Sequence, residues 1–121
     1  MRRMLMLAAA SFALGMTGSA QAASDQDFTL VNRTGYEIDE VYVSNSASRN
    51  WGRDVLGQDV LPNGRQTDIL FPAGTRGCDW DIRVVYSDRE SAEWRRVNLC
   101  SISKVTLYYD RRAGTTRAVA E

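Results

Sequence analysis

The chain has 121 residues, with 15 Lys and Arg against 15 Asp and Glu, and no histidine. A balanced charge leaves no basic footprint for nucleic acid and no polybasic patch for a membrane surface. Without histidine, Ser-His-Asp and Cys-His catalysis and His-ligated zinc are excluded.

Arg2 and Arg3 precede an almost wholly apolar run, Met4 to Met16, and Ala20-Gln21-Ala22 then offers small residues at the spacing of a cleavage site. That order predicts a secretory signal peptide over 1–22, cut after Ala22. The apolar run falls short of the roughly 20 residues that cross a bilayer, so no membrane association is expected after cleavage. The Arg pair lacks the flanking residues of a twin-arginine signal, and general secretion is expected. No cysteine stands near the cut, which excludes a lipoprotein anchor. The mature chain, 23–121, is one domain with a modest core. Its balance is 13 basic against 15 acidic residues, because the leader carries Arg2 and Arg3 and no acid.

Asp27 to Val31 alternates, with Phe28 and Leu30 on one face, and reads as a first strand. Asn32-Arg33-Thr34-Gly35 is a turn signal. Glu37 to Ser44 follows, and the change of phase between Ile38 and Val41 predicts a bulge near Asp39-Glu40. Asn45 to Asn50 is a polar loop. In Trp51-Gly-Arg-Asp-Val-Leu-Gly57 the apolar residues fall at helical spacing, which allows one helical turn or an irregular loop. Leu61-Pro62-Asn63-Gly64 is a strong turn leading into a strand over 65–71.

Pro72 to Gly77 is a loop. Asp79 to Tyr86 alternates clearly, with Trp80, Ile82, Val84 and Tyr86 against Asp79, Asp81 and Arg83. Ala92 to Leu99 returns, and Ile102 to Tyr109 is a last strong strand. Arg111 to Gly114 breaks it, and the tail either frays or adds an edge strand. Six strands and a candidate seventh, joined by short turns, predict an all-β fold: a single antiparallel β-sandwich.

Cys78 and Cys100 are the only cysteines. In an exported chain they are expected to form a disulfide, which also removes the last thiol nucleophile. Pairing Ser87 with Ala92 sets Trp80 opposite Leu99 and Ile82 opposite Val97 on one apolar face. Cys100 then opposes Asp79, so the bond predicts a bulge at Cys78 or Cys100.

The mature chain resembles a group of small bacterial secreted proteins and domains of unknown function. The likeness rests on Phe28-Thr-Leu-Val-Asn32, Thr34-Gly35, the Trp51-Gly-Arg-Asp-Val-Leu-Gly57 loop, Leu61-Pro-Asn-Gly64 and the Cys78-Asp-Trp-Asp…Asn98-Leu-Cys100 hairpin. It implies a compact β-sandwich in an envelope or secreted setting, and no activity.

Trp51, Gly52, Arg53, Asp54 and Gly57 are the candidate interaction loop, since Trp and Arg are enriched in binding hot spots. The competing reading has Trp51 and Leu56 plugging the sandwich end, Gly52 and Gly57 turning the chain, and Asp54 capping amides. Asp79 and Asp81, i and i+2 on one face, lack the loop spacing of a Ca²⁺ site, and Asp81 is expected to pair with Arg83 or Arg96 on a wet face. Arg83, Arg95 and Arg96 are expected to ladder with nearby acids, their stems covering Trp94.

The sequence reading is therefore a monomeric, non-catalytic, exported binding module of the periplasm or extracellular space. Its expected partner is a protein or envelope ligand, with no cofactor, metal or nucleic acid. A periplasmic inhibitor or immunity-type protein is the alternative, followed by a Ca²⁺-dependent ligand module and a carboxylate hydrolase.

Overall fold

The computed structural model describes residues 23–121; the expected signal peptide lies outside the described residues. Seven strands are present among them: β1 (Phe28–Arg33), β2 (Ile38–Asn45), β3 (Gln66–Ile69), β4 (Asp79–Tyr86), β5 (Ser91–Asn98), β6 (Lys104–Asp110) and β7 (Thr115–Ala120). They form a four-stranded sheet, β3-β1-β6-β7, and a three-stranded sheet, β2-β4-β5. The tail resolves as an edge strand, antiparallel to β6.

The sheets pack face to face, as their alternation requires. Phe28, Leu30, Val105 and Leu107 from one meet Ile38, Val41, Ile82 and Val84 from the other. Leu30, Ile82, Val105 and Leu107 lose all contact with water, each such burial stabilising by about 1.5–3 kcal/mol. The fold is the expected all-β sandwich, with one pair, β1 and β6, running parallel. Nothing in the alternation of either strand marks that choice.

Asn32 sits at the centre of one end, fully buried. Its Nδ2 donates to the carbonyls of Tyr36 (2.7 Å) and Leu61 (2.9 Å), and its Oδ1 accepts from the amide and hydroxyl of Thr34. One side chain thus shapes the 32–36 turn and binds it to the turn at 61–64. Gly35, at φ +89°, occupies the left-handed region that the turn demands.

The bulge expected near Asp39 is present: Ile38 faces Tyr86, and Glu40 faces Val85. The hairpin register differs from expectation. Trp80 faces Val97 and Ile82 faces Trp94. The turn is three residues, Ser87 to Arg89, closed by the Tyr86 amide donating to the Glu90 carbonyl at 2.8 Å. Arg89, at φ +73°, completes it.

Cys78 and Cys100 form the disulfide, with Cα atoms 5.1 Å apart. Neither cysteine is bulged. The Leu99 amide donates to the Cys78 carbonyl, and a 3-10 turn over Leu99–Ser101 carries Cys100 around to its partner. A loop closure of this length contributes about 3 kcal/mol in the chain-entropy account.

Candidate interaction site

The bulge in the hairpin lies at Asp81, where the register shifts between Trp80 and Ile82. Arg95 and Arg96 together face that one residue, and Arg96 takes φ +56° to do so. Alternation then resumes with Trp94 and Val97, three apart, both packed against the core.

Asp81 is not on a wet face. It is 4% exposed, and its Oδ1 accepts from the Arg96 amide (2.9 Å) and the Ser46 hydroxyl (2.7 Å). Its Oδ2 accepts from Arg95 Nη1 at 2.9 Å. Desolvation pushes this carboxyl up, but the Arg96 amide, the Ser46 hydroxyl and the Arg95 charge outweigh it and hold the pKa below 3.8. The expected Arg83 and Arg96 partnerships give way accordingly. Arg83 faces Glu93, and the Arg96 guanidinium reaches only Asp79, at 3.9 Å.

Fixed by Asp81 and by Glu93 at 2.8 Å, the Arg95 guanidinium lies over the Trp51 ring, 5.7 Å from its centre. Trp94, expected beneath the arginine stems, turns inward instead. Trp51 and Arg95 line a cleft of about 320 Å³ with Ser44, Arg49, Asn50 and Asp81. The Ser44 hydroxyl donates to the Asn50 carbonyl at 2.6 Å and sets the approach to Trp51.

The rest of the 51–57 loop has a different duty. Asp54 Oδ1 accepts from the amides of Val41 (2.9 Å) and Leu56 (3.0 Å), and the Val55 amide donates to the Val41 carbonyl (2.8 Å). Further on, Leu61 bridges to Ile38. The segment therefore covers the outer edge of β2 and satisfies backbone groups that would otherwise template association. The 51–57 segment is irregular, with no helical turn. Gly52 and Gly57 have φ of +78° and +66°, Val55 and Leu56 pack on the core, and Arg53 is exposed.

Of the five loop residues singled out by sequence, Trp51 alone lines the cleft; Asp54 and the glycines shape the chain. Sequence reasoning missed Asp81 and Arg95 as its companions. The visible sign was the odd spacing of Trp94 and Val97, which a regular strand cannot bury together. Among the described residues, no three His, Cys, Asp or Glu side chains gather closely enough to hold a metal ion. No helix among them is long and apolar enough to cross a membrane.

No family model and no curated protein matches the chain. A protein from Eubacterium rectale, solved by NMR, shares the architecture. It superposes with a TM-score of 0.55 at 14% identity, over 78% of this chain and 85% of that one. Such a likeness shows the fold alone.

Proposed function

We propose that the protein is an exported, non-catalytic β-sandwich that binds a protein or envelope ligand through the Trp51 cleft. The observation that carries this reading is the Trp51–Arg95 pair. A half-exposed indole and a guanidinium stand 5.7 Å apart, and the guanidinium is fixed by a buried carboxylate. Aromatic and Arg anchors dominate binding energetics, and a side chain already held in one geometry loses less entropy on association. Arg49, beside them, makes no ion pair among the described residues and can meet an acidic or carbonyl-rich partner.

Export is supported by the signal-like order of 1–22 and by the disulfide, which persists in oxidising compartments. The non-catalytic part rests on chemistry already assigned elsewhere: there is no histidine, both thiols are bonded, and Asp81 and Asp54 are held by backbone amides.

Capture from an envelope extract of the producing cell tests the reading. Wild type should recover a partner that Trp51→Ala recovers at least about tenfold less, the loss expected at a hot spot, with unchanged melting temperature. Equal recovery by the two proteins excludes the cleft.

A further inference from the structure

At the end of the sandwich opposite the disulfide, three tyrosines wall a hollow of about 240 Å³ together with Asp88, Glu90 and Thr116. Tyr36 stands between the other two. Its ring centre is 6.3 Å from that of Tyr86 and 5.7 Å from that of Tyr109, each pair inclined at 67°. Three rings so inclined present π-surface from several directions to whatever occupies the hollow. Taking about 30 Å³ per group, there is room for roughly eight non-hydrogen atoms.

The charge in the hollow is negative and uncompensated. Neither Asp88 nor Glu90 forms an ion pair among the described residues. Asp88 Oδ1 accepts only the Glu90 amide, at 2.9 Å. Arg89, between them in sequence, is drawn away to Glu40 (3.1 Å) and Asp39 (4.0 Å) on the outer face. At the base, Tyr86 is 8% exposed, and its hydroxyl is shielded from water with no hydrogen-bond partner. Burial raises its pKa, an effect that the nearby Thr34 hydroxyl tempers without meeting hydrogen-bond geometry. Three other buried side-chain polar atoms among the described residues also lack a partner: Asp39 Oδ1, Arg83 Nε and Trp94 Nε1. Tyr86 alone of these residues lines the hollow, and a buried hydroxyl left unpaired there calls for an explanation.

Tyr36 already receives one cation: the Arg111 guanidinium lies 5.7 Å from its ring centre, yet Arg111 does not line the hollow. The geometry points to a second ligand site here, independent of Trp51, that takes an organic cation: an alkylammonium or guanidinium group seated among Tyr36, Tyr86 and Tyr109 and neutralised by Asp88 and Glu90. Aromatic faces and carboxylates act together on such a ligand, the rings matching its weakly hydrated surface and the acids its charge.

Two probes separate the sources of that chemistry: tetramethylammonium chloride for a quaternary head group and N-acetylarginine amide for a side chain. Each is titrated into the mature, oxidised protein while backbone amide resonances are followed, with sodium chloride at matched ionic strength as reference. Saturable shifts centred on Tyr36, Glu90, Tyr109 and Thr116, absent with sodium chloride, are expected for at least one probe. The probe that saturates at lower concentration names the source. Tyr36→Leu should weaken binding roughly tenfold, as loss of one desolvated cation–π contact does, and Glu90→Gln should weaken it without altering the melting temperature. Shifts that fail to saturate, that follow ionic strength alone, or that persist unchanged in a folded Tyr36→Leu protein would overturn the site.

Discussion

The amide of Arg96 donates to Oδ1 of Asp81 at 2.9 Å, across a bulge in which two residues of β5 face one of β4. This contact sets the phase of the hairpin on either side of it. It also turns Arg95 toward Trp51 and lets a carboxylate be buried without loss of its charge. The register, the cleft and the titration of Asp81 are one arrangement.

Asp81→Ala should therefore cost about 2–4 kcal/mol, since it leaves the Arg96 amide and the Ser46 hydroxyl without their charged acceptor. Urea unfolding at neutral pH measures it. The same contact predicts a pH dependence. With the folded pKa held below 3.8, the carboxylate's contribution is complete above the unfolded value and is lost as pH falls through the folded one. The stability gap between wild type and Asp81→Asn should close below about pH 4; a gap that stays constant to pH 2 would contradict the assignment.

Arg96 holds φ +56°, a region that costs a side-chain-bearing residue about 1 kcal/mol. Its guanidinium is largely exposed and only 3.9 Å from its partner, a contact worth little. Arg96→Gly should thus leave stability unchanged or raise it by up to about 1 kcal/mol. Arg95→Gly, by contrast, should lower it, and comparison of the two thermal transitions decides the point.

The strands and core were legible because Phe28, Leu30, Ile82, Val84, Val105 and Leu107 alternate cleanly. The bulge at Asp39 was legible for the same reason, as a break in phase. The hairpin register was not. Its phase is set by a carboxylate that sequence pattern assigns to water, and Asp81 becomes a core-side residue only once Ser46 and the Arg96 amide arrive to satisfy it. The parallel pairing of β1 with β6 depends on partners 75 residues apart, such as Thr29 and Lys104. The cleft was half legible: Trp51 stands out by composition, whereas Arg95 joins it only through the bulge.

Asn32 offers a separate check on how the other end is built. It binds four polar groups from one fully buried side chain. Asn32→Ala should destabilise by about 2–4 kcal/mol through the Thr34 amide and the Tyr36 and Leu61 carbonyls it leaves unsatisfied, and hydrogen exchange should rise first at the Thr34 amide. Protection that falls uniformly across the domain would point to simple loss of packing instead.

The central claim is that the Trp51 cleft meets the partner. A photo-crosslinking residue at Asn50, on the wall of that cleft, tests it most directly in the living cell. A matched probe at Leu70, an apolar side chain 61% exposed elsewhere on the surface, serves as the comparison. The account predicts a discrete adduct from position 50 that disappears with Trp51→Ala and no corresponding adduct from position 70. The same adduct from both positions, or one from position 50 that survives Trp51→Ala in a folded protein, would contradict it.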